Sequence, residues 1–332
     1  TTLSGGTTYS AGDVSFAVYQ DNLYVSNGTD PIKRWTGSGS MTDVAASGSW
    51  QSGRRGHFLQ IYNDRLLSVL ARGVFYFSDA FNAETLSAGT QIEYIGDRSG
   101  DVVVGTGLLG VQTDTQGLAA AVVFFKRSSI WMLQGSVASS GIVDQISGRV
   151  GCVSGKSIAH TPFGIVFLGN DNVYLLRGAG EPIPIGTQIL PALRAIPSGQ
   201  KVNACGIYQN GHYKLSIAPS GAVRNTRQYW LDMRNFDPSA PEWWGPMRNS
   251  NQYSFLAMDV LQANDLPVST LSTDSSEQGI ALTDDARPVM VWLDQNTFDD
   301  RGTTITYTVD GHDFGGDSIV LQKDFKSIGA VI

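Results

Sequence analysis

Four histidines, His57, His160, His212 and His312, are where chemistry would first be sought, because imidazole moves protons and ligates metals. No two of them stand at a metal-ligand spacing, and Cys152 and Cys205 complete no zinc pattern with them. His160 precedes Thr161-Pro162 at a strand end and His212 falls in a turn, so both read as structural. A Gly-x-Ser-x-Gly elbow is missing, and no glycine-rich loop joins a strand to a helix to cradle phosphate. Asp97, Asp101, Asp274, Glu277, Asp284 and Asp285 lie in loop-like stretches, and a paired-carboxylate glycosidase could draw on two of them. Acids in loops usually form turns instead. We therefore expect no catalytic, cofactor-binding or metal-binding residue.

Two groups remain as candidates for binding. Arg54-Arg55 and Lys126-Arg127 are basic doublets in turns or loops, suited to contact with DNA or an acidic neighbour. The plainer reading is a solvated loop. Trp243-Trp244, followed by Gly245-Pro246, could stack on a sugar. The rival reading is packing between repeated units, since Trp35, Trp50, Trp131, Trp230 and Trp292 recur through the chain in the same way.

The elements that would position these residues are strands. Phe163 to Leu176 carries two apolar runs, Ile165–Leu168 and Val173–Leu176, around Gly169-Asn170-Asp171-Asn172. Branched and aromatic residues favour extended backbone, and the polar quartet suits a tight turn. The spacing predicts a hairpin buried on both faces, because a half-exposed strand would alternate with polar residues. Asp21-Asn22-Leu23-Tyr24 nearly repeats Asp171-Asn172-Val173-Tyr174. Asn63-Asp64-Arg65-Leu66, Gln209-Asn210-Gly211-His212 and Lys126-Arg127-Ser128-Ser129 read as looser copies. About forty residues separate Asn22 from Asn63, and a similar number Asn172 from Asn210. That period fits a four-stranded propeller blade, with two packed sandwiches as the alternative.

We therefore predict an all-β, β-propeller-like fold of five to seven blades of short antiparallel strands. One short helix is expected within Ile185–Ile196, limited by Pro191 and stopped by Pro197. Residues 1–15 read as an arm and 16–295 as the propeller. Residues 296–332 read as strands that close it or begin a further domain. Residues 36–54 and 135–149 read as Gly/Ser-rich loops, and Trp243-Trp244 as opening a sixth unit. The chain starts on Thr, which leads us to expect trimming upstream, and ends on Ile332, which leads us to expect continuation.

Composition narrows the class. The 332 residues are 42% hydrophobic and 16% charged, with 38 glycines, which suits an all-β chain whose surface is partly hidden in an assembly. A net charge of -7 is unlike a protein wrapped tightly on nucleic acid. It is compatible with a conduit whose wall repels passing DNA, and equally with ordinary solubility. Both cysteines sit in apolar runs and read as buried thiols. No apolar run is long enough for a membrane span.

Several segments together resemble one family. They are Leu23-Tyr24-Val25-Ser26-Asn27-Gly28 with Asp30-Pro31-Ile32-Lys33-Arg34-Trp35; Tyr62-Asn63-Asp64-Arg65-Leu66; Val74-Phe75-Tyr76-Phe77-Ser78-Asp79; Phe124-Phe125-Lys126-Arg127-Ser128-Ser129-Ile130-Trp131; and Gly164 to Gly169. This succession, over about residues 16–290, resembles the nozzle, or tail tubular protein B, or head–tail stabilisation proteins of short-tailed bacteriophages. The resemblance implies a non-enzymatic, propeller-based virion subunit made in the host cytoplasm. Six copies would ring a channel below the portal and adaptor, hold tail fibres or spikes, and pass double-stranded DNA. It implies no catalytic or cofactor residue.

Overall fold

The computed structural model describes residues 10, 13–44, 50, 53–87, 91–96, 100–113, 117–139, 141–222, 224–248, 255–262, 277–283, 290–293, 299–300 and 303–304. Five successive four-stranded sheets fill most of that span, each an antiparallel meander of neighbours in sequence. Blade 1 is β1 (Ser15–Tyr19), β2 (Asn22–Ser26), β3 (Lys33–Trp35) and β4 (Thr42–Asp43). Blade 2 is β5 (Phe58–Tyr62), β6 (Arg65–Leu70), β7 (Val74–Phe77) and β8 (Ile92–Tyr94). Blade 3 is β9 (Val103–Thr113), β10 (Gly117–Lys126), β11 (Ile130–Gln134) and β12 (Ile142–Ser147). Blade 4 is β13 (Ala159–Thr161), β14 (Gly164–Leu168), β15 (Val173–Leu176) and β16 (Ile183–Pro184). Blade 5 is β17 (Cys205–Gln209), β18 (His212–Ile217), β19 (Arg227–Asp232) and β20 (Glu242–Arg248). A three-stranded sheet follows, β21 (Phe255–Gln262), β22 (Glu277–Thr283) and β23 (Met290–Leu293), then the pair β24 (Asp299–Asp300) and β25 (Thr303–Thr304).

The architecture is β-propeller-like because the first strands face one another from blade to blade. β1 lies against β5, β5 against β9, β13 against β17 and β17 against β21. Blades 2 to 5 are thus each gripped between two neighbouring sheets, which explains the doubly apolar strands. Along β14 and β15, Val166, Leu168, Val173 and Leu175 pack towards blade 5 with Tyr213, Leu215 and Leu231. Their neighbours Ile165, Phe167, Tyr174 and Leu176 pack towards blade 3 with Val123, Phe125 and Met132. In β10 the same alternation sends Val122 and Phe124 to blade 2, where Phe124 stacks on Phe75 with ring centres 5.2 Å apart. Side chains of a strand alternate between faces, so two buried faces require an unbroken apolar run.

The near-identical tetrapeptides do different jobs. Asp21 closes the turn between the first two strands of blade 1, whereas Asp171 lies in the turn between the second and third strands of blade 4. These turns fall at opposite ends of their blades. The true repeat is the two-residue turn Gln20-Asp21, Asn63-Asp64 and Asn210-Gly211, all six residues having φ between +49° and +76°. Two successive positive φ values are the mark of the hairpin turn whose twist matches the strands.

Other expectations are corrected. Residues 36–54 and 135–149 contain β4 and β12, outer strands too short or too exposed to show an apolar pattern. β9 runs unbroken from Val103 to Thr113. Gly105 and Gly107 look like breaks in the sequence, yet they make room within the strand. A Cβ there would come 2.4 Å from Ile158 Cδ1 and 2.9 Å from Ile165 Cδ1. Trp243-Trp244 lies in β20, the outer strand of blade 5, and does not open a sixth unit. The expected helix is α1 (Leu190–Arg194), with Pro191 in its first turn, where the missing N–H costs nothing. Pro197 precedes a one-turn helix, α2 (Ser198–Lys201). Apart from Ser10 and residues 13–15, the N-terminal arm lies outside the described residues, as does most of 296–332.

Candidate functional site

The meander gives every blade two ends. Turns joining first to second and third to fourth strands lie at one end, and second-to-third turns and blade-to-blade connections at the other. Contacts between blades show that these ends are aligned. At the first end, Tyr19 Oη donates to Asp64 O at 3.1 Å and Asn63 Nδ2 to Gly135 O at 2.9 Å. At the second, Ser26 Oγ donates to Gly56 O at 2.7 Å and Arg127 N to Val102 O at 3.2 Å.

The second end carries the arginines. Arg54 and Arg55 lie in the connection from blade 1 to blade 2, Arg72 in the β6–β7 turn and Arg127 in the β10–β11 turn. Arg149 follows in the connection to blade 4, and Arg224 in the β18–β19 turn. Arg54 sits 5.7 Å above the Tyr76 ring centre, and Arg55 donates to Thr29 O at 3.2 Å. Arg72, Arg127, Arg149 and Arg224 are exposed. Arg127 and Arg149 share a cavity of about 350 Å³ with Ser128, Asp171, Ser198 and Gly199, drawn from three consecutive blade ends. The acids at this end accept hydrogen bonds from neutral donors in their own or adjoining loops. Asp30 accepts from Ser10 N at 2.6 Å and Asn27 Nδ2 at 2.8 Å, and hydrogen bonds with Ser10 and Asn27 hold its carboxyl below the ordinary range. Asp101 accepts from Ser129 Oγ at 2.8 Å, and Asp171 from Tyr174 Oη at 2.8 Å.

The structure splits the doublet Lys126-Arg127. Lys126, the last residue of β10, is 1% exposed, with Nζ 5.7 Å from the Trp131 ring centre, and cannot meet a partner. Arg127 begins the turn and is exposed. Lys33, Lys201 and Lys214 are buried as well, so this end presents its cations mainly as arginine.

The opposite end is acidic, with Asp21, Asp64, Asp79, Glu84, Glu181 and Asp237 in its turns. A cavity of about 300 Å³ there is lined by Asp232, Arg234, Asp237 and Glu242. Glycosidase chemistry needs one carboxyl with a raised pKa to act as acid. Here the hydrogen bond from Arg234 pulls Asp232 down to about 2, and the Ser239 N–H and hydroxyl lower Asp237.

Trp243 and Trp244 do not form one platform, because consecutive strand residues face opposite ways. Trp243 packs edge-on against Tyr213 and donates Nε1–H to Ile185 O at 2.6 Å. Trp244 is 46% exposed, with its ring centre 5.7 Å from that of His212, which lies 5.9 Å from Trp230. Lys214 lies beneath, with Nζ 3.0 Å from Gln209 Oε1. Of this cluster only Trp244 stood out in the sequence, since its members come from three strands. His160 accepts from Leu108 N at 3.1 Å, and Cys152 and Cys205 are buried thiols outside any disulfide, as expected. His312, Asp97, Asp274, Asp284 and Asp285 lie outside the described residues, as does the side chain of Glu277. Among the described residues no three His, Cys, Asp or Glu side chains gather as metal ligands, and no helix is long and apolar enough to cross a membrane.

These features define a propeller-like scaffold with one arginine-bearing end and one acidic end. No family model and no curated protein matches the chain. Among solved structures it is similar to BBS1N in complex with ARL6DN, at 13% identity over 84% of this chain and 77% of that one, with a TM-score of 0.48. It is also similar to Saccharomyces cerevisiae Sqt1, at 12% identity over 83% and 69%, TM-score 0.44. A third is the endo-arabinase of Bacteroides thetaiotaomicron, at 12% identity over 90% and 95%, TM-score 0.38. Likenesses this distant transfer no activity.

Proposed function

We propose that the protein is a non-enzymatic structural subunit of a short-tailed phage tail. It would be a nozzle or connector whose copies, six in the family it resembles, ring the DNA channel below the portal and adaptor and hold fibres or spikes. The observation that carries this reading is the use made of the acids. Asp30, Asp79, Asp171 and Asp232 accept hydrogen bonds that build their own turns, and Asp101 accepts one that ties its connection to the β10–β11 turn. Such carboxylates serve rigidity, and a rigid wedge-built disc is a good brick for a closed ring. Val14, Phe16 and Val18 add support: they share one face of the first strand and are 42, 58 and 69% exposed, an apolar stripe suited to burial against a second copy. The test is the mass of the purified protein together with its presence in virions. A ring, or a particle-bound subunit, is expected; a persistent monomer absent from particles would overturn the reading.

A second reading, a carbohydrate-binding or carbohydrate-cleaving propeller acting in receptor recognition, is favoured by exposed Trp244 beside His212 and Trp230. A glycan array with a hydrolysis assay decides between them. Binding abolished by Trp244→Ala would support this alternative.

A further inference from the structure

We infer that the arginine-bearing end of the disc is the surface that meets duplex DNA, by contact with the phosphate backbone and without reading sequence. The inference rests on the conduit reading for the identity of the polyanion and adds to it a direction, namely which end of the disc turns towards the lumen.

Three observations converge. First, the arginines are spread over successive blade ends and are not all gathered in one pocket. Arg54, Arg72 and Arg127 follow one another through blades 1 to 3. Arg72 reaches back to Gly53 O at 3.4 Å, and Arg127 shares its cavity with Arg149. Such a spread suits a backbone with regularly repeated charges, whereas a pocket would suit one small anion. Second, the exposed cations are mainly guanidinium. Four lysines are buried, and Lys156, which is exposed, pairs with Asp13 at 2.8 Å. Guanidinium offers a planar fork that matches phosphate oxygens and sheds water more easily than ammonium. Third, the acids of this end are engaged by neutral donors: Asp30 accepts from Asn27 Nδ2, Asp171 from Tyr174 Oη, and Asp101 from Ser129 Oγ of the neighbouring turn.

The net charge of -7 does not oppose this. Strands of five or six residues hold the two ends roughly 17–20 Å apart. The screening length at physiological salt is about 8 Å. The acidic end is therefore largely invisible to a phosphate at the other. The polarity has a mechanical use. A few arginines give weak, salt-sensitive contact that guides a moving duplex, while the acidic end resists it.

The test uses the full chain and a fluorescent duplex of about 30 base pairs, titrated from about 50 to about 200 mM salt. The variants are Arg127→Glu with Arg149→Glu on the arginine end, and Arg177→Glu on the acidic end as reference. The wild type should bind with an affinity that falls linearly on a log–log salt plot. The double variant should bind at least about tenfold more weakly, with a slope smaller by about 2, one unit per lost phosphate contact. Arg177→Glu should bind like the wild type. Absence of wild-type binding at the lowest salt, a salt-independent affinity, or an equal loss in Arg177→Glu would each overturn the inference. Its failure is separable from that of the conduit reading. Rings that ignore DNA remove the inference alone, and arginine-dependent binding by a permanent monomer absent from particles removes the tail role alone.

Discussion

Lys214 Nζ lies 4.2 Å from the centre of the Trp230 ring, on the face of blade 5 opposite the one that carries Tyr213. The lysine is 2% exposed, and burial pushes its ammonium down to about 7 from an ordinary 10.5. Between those two values the unfolded chain holds a proton that the folded chain has lost, so folding stability rises with pH across the window. Lys214→Met should flatten that rise. It should also leave the protein as stable at pH 7 or more so, by about 1–4 kcal/mol, the range found when buried ions give way to apolar residues. Thermal melts from pH 7 to pH 10 check it. A melting temperature that falls across this range in the wild type would refute the argument.

Tyr213 works on the other face. Its Oη donates to Ser157 O at 2.8 Å, tying β18 to the 3-10 turn at Gly155–Ser157 that leads into blade 4. Tyr213→Phe keeps the ring against Trp243 and removes only the donor. The acceptor is left buried, at a cost of about 1–3 kcal/mol. Urea unfolding should show a lower midpoint with an unchanged slope. No change in midpoint would mean that water or another donor replaces the hydroxyl.

Much of this arrangement was legible in the sequence, for reasons that also explain what was not. A strand gripped on both sides must be apolar throughout, so Ile165–Leu168 and Val173–Leu176 announced their burial. Outer strands escape that demand: β12, Ile-Val-Asp-Gln-Ile-Ser, is mostly exposed and reads as loop. The two Asp-Asn tetrapeptides looked like one repeat because turn chemistry is local. Local chemistry does not record which end of a blade the turn caps. Lys126 and Arg127 looked like one patch because charge was read without the strand end, which buries one neighbour and frees the next. Arg72 and Arg149 are single cations in the sequence, and only the alignment of the blades places them at the same end as Arg127.

Gly155 and Gly199 make a matched pair for testing how tightly the blades meet. A Cβ on Gly155 would stand 1.9 Å from Val104 O, a backbone atom of blade 3 that cannot swing aside. At Gly199, in α2, nothing lies within 4 Å. Gly155→Ala should therefore cost about 1–3 kcal/mol or more through overpacking. Gly199→Ala should be neutral or stabilise by up to about 1 kcal/mol, by restricting the unfolded chain. Paired denaturation curves settle it, and equal behaviour of the two variants would mean that blades 3 and 4 are not in close contact there.

Asp79 closes the segment Tyr76-Phe77-Ser78-Asp79 and organises the β7–β8 loop. Its carboxylate accepts from Thr85 Oγ1 and Ser87 Oγ, both at 2.6 Å, and from Gln91 Nε2 at 2.9 Å. Partial burial pushes its pKa up, but the Ser87, Thr85 and Gln91 hydrogen bonds together outweigh that and draw it down to about 2. A depressed carboxyl gives stability that is complete above the ordinary 3.8 and drains away as pH falls towards 2. Asp79→Asn keeps the shape, but its amide nitrogen cannot accept, so at least one donor loses its partner. The expected loss near neutral pH is about 1 kcal/mol. Below pH 3.8 the gap between variant and wild type should narrow, because the wild-type carboxyl is then taking up its own proton. Urea midpoints at pH 7 and pH 3 measure both effects. A gap that widens in acid would show that the loop is held by something other than this carboxylate.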